Sequence, residues 1–260
     1  MDLQLGGRRA IVTGGSKGLG AAIARELLAE GAQVAICARN QDELEAAAQE
    51  LRSDGGKVVA QVADVTRSED VERFFAESVA ELGGLEILVN NAGRAHPGTF
   101  ETLTDQDFHE DLEVKLFSQI RCSRAALPHM RRAGGGAIIN INAIYGRQPD
   151  PNFFATTVDR AACLAFTKAL AMEVAKHRIL VNSVNIGFVR TPQWDNIHQR
   201  RAPQLSREDF LTQTASAEVP LGRFGEPEEV SGLIAFLVSP RASYITGASI
   251  DVSGGMGRYI

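Results

Sequence analysis

A glycine-rich turn near the N-terminus constrains the fold of this chain more than any other feature. The segment 13–20 reads TGGSKGLG; it follows the apolar run 9–13 and leads into an amphipathic stretch over 19–30. Glycines permit positive φ angles and let backbone N–H groups approach a phosphate at the N-terminus of the next helix. The segment therefore predicts a strand, a phosphate-binding turn and a helix in succession. The alternative is a tight strand-to-helix connection that binds nothing.

Short β-branched segments alternate with helical segments along the whole chain of 260 residues. The predicted strands cover 9–13, 33–38, 57–63, 87–90, 137–141, 180–186 and 249–252. The predicted helices are 19–30, a segment opening at Asn40, a segment ending near Leu82, 104–132, 153–176 and 228–238. Strands without polar alternation, separated by helices, are typical of a parallel sheet covered on both faces. We therefore expect one doubly wound, Rossmann-type α/β domain over 1–260, with a mostly seven-stranded parallel sheet.

Local signals mark where some of these helices begin and bend. Asn40 with Glu43, and Thr66 with Glu69, have the three-residue spacing of a capping box, which predicts two helix starts. Pro128 lies inside the predicted helix 104–132. Because proline removes an intrahelical hydrogen bond, we expect this helix to bend there.

The segment 191–218 breaks the alternation of strands and helices. It is polar, lacks clear periodicity and is too long for an ordinary connection. A connection of this length beside a cleft predicts a substrate lid, with a mobile surface insertion as the alternative. Its arginines Arg200, Arg201 and Arg207 hint at an anionic substrate, although three surface arginines are equally ordinary.

Charge and composition exclude several classes of function. The net charge is −5 without a basic run, so the chain lacks the electrostatic footprint of a nucleic-acid or anionic-membrane binding protein. Its three cysteines and five histidines show neither a disulfide framework nor metal-ligand spacing. No segment reaches the roughly 20 apolar residues of a membrane span, and the first residues lack the pattern of a signal peptide. We expect a cytoplasmic protein without a metal site.

The end of the second predicted strand distinguishes between the two nicotinamide cofactors. NAD enzymes place a carboxylate there to hold the ribose 2′-hydroxyl, whereas NADP enzymes place a cation for the 2′-phosphate. This chain has Ala38 followed by Arg39, and Lys17 adds a second cation in the glycine-rich turn. Guanidinium matches phosphate geometry well, so the residues predict NADP(H). The alternative is that Arg39 is a solvated surface arginine.

Several further motifs carry a resemblance to a known family. In chain order, the matching segments are TGGSKGLG (13–20), ADV (63–65), NNAG (90–93), RILVNSVNIGFVRTP (178–192), PLGRFGEPEEV (220–230) and SYITGASIDVSGG (243–255). Over essentially its entire length the chain resembles a short-chain dehydrogenase/reductase of the 3-oxoacyl-carrier-protein reductase type.

This resemblance implies a set of cofactor contacts. Asp64 and Val65 would contact the adenine, Asn91, Ala92 and Gly93 would line the ribose side, and Thr191 would hold the nicotinamide amide. The full predicted set is Gly14, Ser16, Lys17, Gly18, Leu19, Gly20, Arg39, Asp64, Val65, Asn91, Ala92, Gly93, Arg160, Gly187 and Thr191. The resemblance also implies a homo-oligomer, most simply a tetramer, packed through the predicted long helices 104–132 and 153–176.

The chemistry of this family depends on an Asn–Ser–Tyr–Lys tetrad, and all four of its positions are predicted to be substituted here. They hold Lys115, Ala143, Thr156 and Arg160, respectively. Alanine has no hydrogen-bonding side chain, and an aliphatic hydroxyl is a far weaker acid than a phenol. Guanidinium can hold ribose but is not a practical proton donor. The standard proton path of the family is therefore predicted to be missing.

Nearby residues offer substitutes for that path. Burial could bring the pKa of Lys115 towards neutrality, and Tyr145 carries a phenol two residues past the serine position. Asn142 could replace the serine as a donor to a carbonyl, and His96 could face the substrate. Each has an alternative interpretation: an ion-paired lysine, a pocket wall, a strand-end turn residue and an exposed loop histidine.

Three functional hypotheses follow from this combination. The first is an NADP(H)-dependent oxidoreductase that acts on a small-molecule carbonyl or alcohol through a rerouted proton path. The second is a catalytically silent cofactor-binding protein, acting as a structural or regulatory partner in a hetero-oligomer with an active relative. The third is a non-redox enzyme such as a hydratase or lyase, with Lys115 or Arg160 stabilising an oxyanion.

Overall fold

A computed structural model of the chain describes residues 2–53 and 55–259. Its strands are β1 (Arg9–Thr13), β2 (Gln33–Ala38), β3 (Val58–Val62), β4 (Ile87–Asn90), β5 (Gly136–Ala143), β6 (Ile179–Ile186) and β7 (Ser249–Val252). They form one seven-stranded sheet in the order β3-β2-β1-β4-β5-β6-β7, and every pair is parallel. The predicted doubly wound α/β fold is confirmed.

The strand order reverses direction at β1, and this reversal places the site. Val12 of β1 pairs with Ile36 of β2 on one side and with Val89 of β4 on the other. The connections leaving β1 and β4 therefore run to opposite faces of the sheet and leave a crevice at its carboxyl edge. Ligands of open parallel sheets bind in such a crevice.

Helices cover both faces of the sheet. They are α1 (Gly18–Ala29), α2 (Gln41–Ser53), α3 (Ser68–Leu82), α4 (Asp105–Leu112), α5 (Ser118–Arg132), α6 (Phe154–Val174), α7 (Gln193–Arg201), α8 (Arg207–Glu218) and α9 (Pro227–Leu237). Helices α1, α2 and α9 pack on one face, where Val12 points, and α3, α5 and α6 pack on the other, where Ile11 points. None of the helices in the described ranges has both the length and the hydropathy of a membrane span.

The long helix predicted over 104–132 is interrupted, but not at Pro128. Thr104 caps α4, and a π-helical turn at Glu113–Phe117 separates α4 from α5. Pro128 lies inside α5, which continues to Arg132, so the helix is not interrupted at this proline and the bend there stays a prediction. A π turn inserts an extra residue into a helix and is frequent at functional sites. Lys115 lies at its centre.

One of the two predicted capping signals is also wrong. The Asn40 side chain accepts a hydrogen bond from Glu43 N at 3.0 Å, as predicted, at the start of α2. The Thr66 hydroxyl instead donates to Asp64 Oδ1 at 2.7 Å, and α3 begins only at Ser68. Thr66 is therefore used to shape the loop after β3.

The polar segment 191–218 is not an irregular connection, because it folds into the two helices α7 and α8. Trp194 of α7 packs edge-on against Phe188 and Phe224, with ring centroids 4.7 Å apart in both pairs. Phe210 of α8 joins the same cluster. The two helices bury their few apolar residues in this local cluster rather than against the sheet, which explains their weak periodicity in the sequence.

Candidate active site

One large cavity, of about 1190 Å³, opens at the carboxyl edge of the sheet where the strand order reverses. Every residue predicted from the sequence to contact the cofactor lines this cavity, from Gly14 in the glycine-rich turn to Thr191 before α7. The cavity therefore extends along the ends of β1, β2, β4, β5 and β6. Thr156, Tyr145 and Asn142 line it as well.

The glycine-rich turn has the geometry of a phosphate site. Gly14 and Gly18 adopt φ angles of 67° and 56°, which side-chain-bearing residues rarely adopt. A Cβ atom on Gly20 would collide with the Gly14 carbonyl oxygen and the Asn91 side chain, so only glycine permits this close packing. Within the described part of the chain, no side chain caps the N-terminus of α1. Its first backbone N–H groups can therefore bind an anion.

Two cations lie at the end of the cavity next to β2 and the glycine-rich turn. Lys17 makes an ion pair with Glu43, with Nζ 2.8 Å from Oε2, and both side chains are largely exposed. Arg39 is exposed at the end of β2 and lines the same cavity. Together with the uncapped helix N-terminus, these groups fit a dinucleotide that carries an additional phosphate on its ribose.

Asn91 fastens the phosphate turn to the centre of the sheet. Its side-chain amide donates to Thr13 O at 3.0 Å and to Gly14 O at 3.1 Å. The Thr13 hydroxyl accepts from the backbone N–H groups of Asn91 and Ala92 at 3.0 and 3.1 Å. These hydrogen bonds hold the ends of β1 and β4 together as one rigid floor of the cavity.

Lys115 lies behind the cavity wall rather than in it. Its ammonium group contacts the Asp111 carboxylate, one helical turn earlier, and donates to Thr156 Oγ1 at 2.6 Å. The side chains of Lys115 and Asp111 are both 0% exposed. Thr156 stands between them and the cavity, because its hydroxyl oxygen bonds to Lys115 while the residue lines the cavity. Among the described groups that Lys115 contacts, only the Thr156 hydroxyl lines the cavity, so a proton from Lys115 can reach the cavity through this hydroxyl.

Burial changes the acidity of this cluster. Desolvation, with the neighbouring Arg160 charge, lowers the pKa of Lys115 to about 8, and the Asp111 carboxylate offsets only part of that effect. Asp159 is also buried next to it, and its carboxyl group faces that of Asp111. Neither oxygen of Asp159 accepts a hydrogen bond from a described donor. Burial and the Asp111 carboxylate raise the pKa of Asp159 to about 8.

Asn142 and Arg160 are bound to the backbone and to each other. The Asn142 side-chain amide donates to Arg160 O at 3.1 Å, and its oxygen accepts from Ala143 N at 3.0 Å. The Arg160 guanidinium donates to Ile141 O at 2.8 Å and approaches Gly93 at the cavity wall. Asn142 thus shapes the end of β5, and Arg160 presents positive charge at the cavity wall.

Tyr145 is placed as an aromatic wall. Its ring stacks on Phe153 with centroids 5.1 Å apart and an interplanar angle of 16°. Burial, together with the negative charges of Asp150 and Glu218, raises the pKa of its phenol well above the ordinary value. Such a phenol is a poor acid at neutral pH.

Asp111 and Asp159, which were not predicted as site residues, complete the buried cluster. Asp111 precedes Lys115 by four residues, the spacing at which two helical side chains meet, so this pair is detectable in the sequence. Asp159 adjoins Arg160 in α6, and no pattern in the sequence indicates its burial. His96, predicted to face the substrate, does not line the cavity; its ring lies beside Asp107 and Asp111.

The arginines of the segment 191–218 do not form an anion site. Arg207 is paired with Asp195 at 2.5 Å, and the Arg201 guanidinium lies 5.7 Å above the Phe153 ring. None of Arg200, Arg201 and Arg207 belongs to the cavity lining in the described structure. The hint of an anionic substrate therefore has no support from their positions. Only the start of this segment, including Trp194 of α7, lines the cavity.

The fold and the site together define a dinucleotide-binding protein of the doubly wound class. The family model described as enoyl-(acyl carrier protein) reductase matches residues 14–257. The chain belongs to the short-chain dehydrogenase/reductase family and is similar to its ketoreductases. It is 36% identical to a putative ketoacyl reductase of the monensin polyketide synthase from Streptomyces virginiae, over 97% of this chain and 98% of that protein.

Solved structures give the same assignment. L-sorbose reductase from Gluconobacter frateurii, complexed with NADPH and L-sorbose, superimposes with a TM-score of 0.96 at 36% identity, covering 100% of both chains. An NADPH-bound short-chain oxidoreductase from Pseudomonas aeruginosa PAO1, described as containing an atypical catalytic center, superimposes with a TM-score of 0.91 at 38% identity. That comparison covers 97% of this chain and 98% of the other.

Proposed function

We propose that this protein is an NADP(H)-dependent oxidoreductase that interconverts a carbonyl and an alcohol, with Lys115 as the proton source and Thr156 as the group that delivers the proton. The contact between Lys115 Nζ and Thr156 Oγ1 at 2.6 Å carries this proposal. Membership of a family of reductases, and the NADPH bound to two of the most similar solved structures, support the redox assignment.

The residues of the cavity fit this cofactor. The turn at Gly14 and Gly18 and the N-terminus of α1 would hold the diphosphate, and Lys17 with Arg39 would hold the 2′-phosphate. Asp64 with Val65 would bound the adenine, and Arg160 would hold the nicotinamide ribose. When bound, the cofactor supplies or accepts the hydride at the carbonyl carbon.

The Thr156 hydroxyl can pass on a proton that it could not supply by itself. An aliphatic hydroxyl does not ionise near neutrality, but its oxygen accepts a hydrogen bond from the Lys115 ammonium. As the carbonyl oxygen takes the hydroxyl proton, the Thr156 oxygen takes one from Lys115, which becomes a neutral amine. An ammonium whose pKa is lowered to about 8 is a competent acid for this step. In the oxidative direction each transfer is reversed.

The Thr156 hydroxyl can rotate to donate its proton to a substrate in the cavity. In the structure the Thr156 hydroxyl donates to Asp111 Oδ2 over 3.3 Å, a long and therefore weak hydrogen bond. A substrate oxygen in the cavity would offer a better acceptor. Ala143, at the position predicted for the family's serine, leaves Thr156 as the hydroxyl that would orient this oxygen.

The proposal also includes a homo-oligomer and a helix that covers the substrate. Phe117, Val158 and Met172, on the π-helical turn and α6, are 42%, 47% and 74% exposed and would be buried in a homo-oligomer. Helix α7 would cover the substrate side of the cavity, since Gln193 Oε1 accepts from Ala95 N at 3.0 Å across its mouth. The aromatic wall of Tyr145, Phe153 and Trp194 favours a substrate with an apolar portion.

Turnover by the purified full chain tests the proposal. We expect NADPH to bind and to be oxidised with at least one member of a panel of ketoses, β-ketoacyl thioesters and aromatic ketones. Binding without oxidation across the panel, and without reduction of NADP⁺ by the matching alcohols, would identify a silent cofactor-binding protein. Failure of both NADPH and NADH to bind would overturn the cofactor assignment as well.

A further inference from the structure

The buried cluster also reaches solvent through His96, which does not line the cavity. The Lys115 and Asp111 side chains are 0% exposed, whereas His96 is 18% exposed. His96 Nδ1 lies 3.6 Å from Asp111 Oδ1, and His96 Nε2 lies 3.2 Å from Asp107 Oδ1, which is itself 34% exposed. Lys115, Asp111 and His96 thus form a path of neighbouring side chains that leads from the buried ammonium to the surface.

If Lys115 delivers a proton in every turnover, it must be reprotonated before the next one, and this path of side chains could supply the proton. The proposed function leaves Lys115 as a neutral amine closed off from solvent. Thr156 faces the reacting oxygen, and the nearby Arg160 guanidinium does not release protons at ordinary pH. Asp111 contacts the Lys115 ammonium directly. Among the described neighbours of Lys115, it is the one that also faces His96, a titratable group that solvent can reach.

We propose that Asp111 and His96 form a proton relay that recharges Lys115 from solvent, an inference that rests on the proposed function. The His96 imidazolium gives its Nδ1 proton to Asp111 Oδ1. The Asp111 carboxyl group then rotates so that its protonated oxygen faces the neutral Lys115 amine, which takes the proton. Asp111 is again a carboxylate, Lys115 again an ammonium, and His96 takes a new proton from water. No hydride moves in these steps, so no oxidant or reductant is needed.

The two oxygens of Asp111 are arranged for this role. Oδ2 contacts Lys115 Nζ and accepts from Thr156 at 3.3 Å, while Oδ1 faces His96. A separation of 3.6 Å is longer than a hydrogen bond, and catalytic hydrogen bonds are often long before ligands bind. A small rotation of the partly buried His96 imidazole would shorten this distance.

Other charged groups around the relay set its environment. Lys115 faces Asp111 on its own helix and, from α6, the groups of Asp159 and Arg160. The Cys163 thiol of α6 contacts the Lys115 carbonyl oxygen at 3.7 Å. His96 faces the two carboxylates of Asp107 and Asp111.

Chemical rescue of a His96→Ala variant tests the relay in the full chain with NADPH and a reducible substrate. We expect kcat to fall about 10- to 100-fold with an unchanged Kd for NADPH, and free imidazole in the buffer to restore it in a saturable way. Lost packing would not be repaired by imidazole. His177→Ala, in the short turn that follows α6 and outside the cavity lining, should match the wild-type kcat with or without imidazole. A wild-type kcat in His96→Ala, or a loss that imidazole does not relieve, would overturn the relay.

A second measurement does not depend on turnover. In the full chain with ¹³C-labelled lysine and histidine, the His96 ring signal should show a second inflection at the pH where Lys115 loses its proton, because both groups share Asp111. His96→Gln assigns the signal. An absence of wild-type turnover would remove the proposed function, and this spectrum would then decide the relay: a coupled titration supports it, and independent titrations overturn it.

Discussion

Lys115 Nζ lies 2.6 Å from Thr156 Oγ1, so a fully buried charge meets the cofactor cavity through one hydroxyl group. Neither residue could do this work separately. Lys115 does not reach the cavity, and a threonine hydroxyl alone is too weak an acid. Their contact joins an acid, Lys115, to the group that delivers its proton, Thr156. These are the two positions predicted to correspond to the asparagine and the tyrosine of the family's tetrad.

Arg39 is predicted to select NADPH over NADH. Removing a charge-assisted hydrogen bond costs about 1.5–3 kcal/mol, so Arg39→Ala should weaken NADPH binding roughly 10- to 100-fold and leave NADH binding nearly unchanged. Fluorescence titration of the purified protein with each cofactor measures both constants. An equal loss for the two cofactors would show that Arg39 does not contact the 2′-phosphate.

Glu43 is predicted to restrain Lys17 before the cofactor binds. Because the two exposed side chains form an ion pair, Glu43→Gln should free Lys17 and tighten NADPH binding up to about fivefold, the most that an exposed pair is usually worth. NADH should gain less. The matched control is Glu45→Gln on the same helix, where the lost partner is Arg52. Weaker NADPH binding in Glu43→Gln would contradict the prediction.

Tyr145 is predicted to act by packing and not as an acid. Its phenol has a raised pKa and its ring stacks on Phe153, so Tyr145→Phe should leave kcat within about twofold. Tyr145→Ala should raise KM because the aromatic wall is lost. Steady-state kinetics separate the two effects. A hundredfold loss of kcat in Tyr145→Phe would make Tyr145 the proton donor in place of Lys115.

Asp159 is predicted to make the fold less stable as the pH rises. Its folded pKa is raised to about 8, far above the ordinary range, so the folded chain keeps a proton that the unfolded chain has already lost. The stabilisation is complete in acid and disappears as the pH rises towards 8. Asp159→Asn should therefore gain roughly 1–3 kcal/mol over the wild type between about pH 5 and pH 8.

Urea unfolding of both proteins across that pH range measures this difference. The range ends near pH 8 because the lowered pKa of Lys115 acts in the opposite direction above it. Glu72→Gln, on the exposed face of α3, is the control and should show no pH-dependent gain. A constant difference between Asp159→Asn and the wild type would mean that Asp159 is ionised throughout.

Local patterns in the sequence predicted most of the fold. The β-branched runs predicted all seven strands, because parallel strands buried on both faces are nearly continuous apolar segments, as in 33–38 and 87–90. The glycine-rich turn located the cavity for the same local reason. The start of α2 followed from Asn40 and Glu43, which are close in sequence.

The features that the sequence did not predict depend on contacts between distant segments. The hydroxyl of Thr66 bonds to Asp64 and does not cap the helix. Trp194 holds α7 against Phe188 and Phe224, and Phe210 holds α8 against Trp194. The burial of Lys115 depends on a π-helical turn packed against α6. Spacing along the chain showed which groups were present but not which of them face the cavity.

The paired variants Thr156→Val and Thr156→Ser test the central claim most directly. Valine keeps the shape of threonine without its hydroxyl, and serine keeps the hydroxyl. With NADPH and a reducible substrate, we predict that Thr156→Val loses about 10²- to 10⁴-fold in kcat, while Thr156→Ser stays within roughly tenfold of the wild type. The Kd for NADPH should not change in either variant. A Thr156→Val protein that turns over at the wild-type rate would contradict the proton path from Lys115.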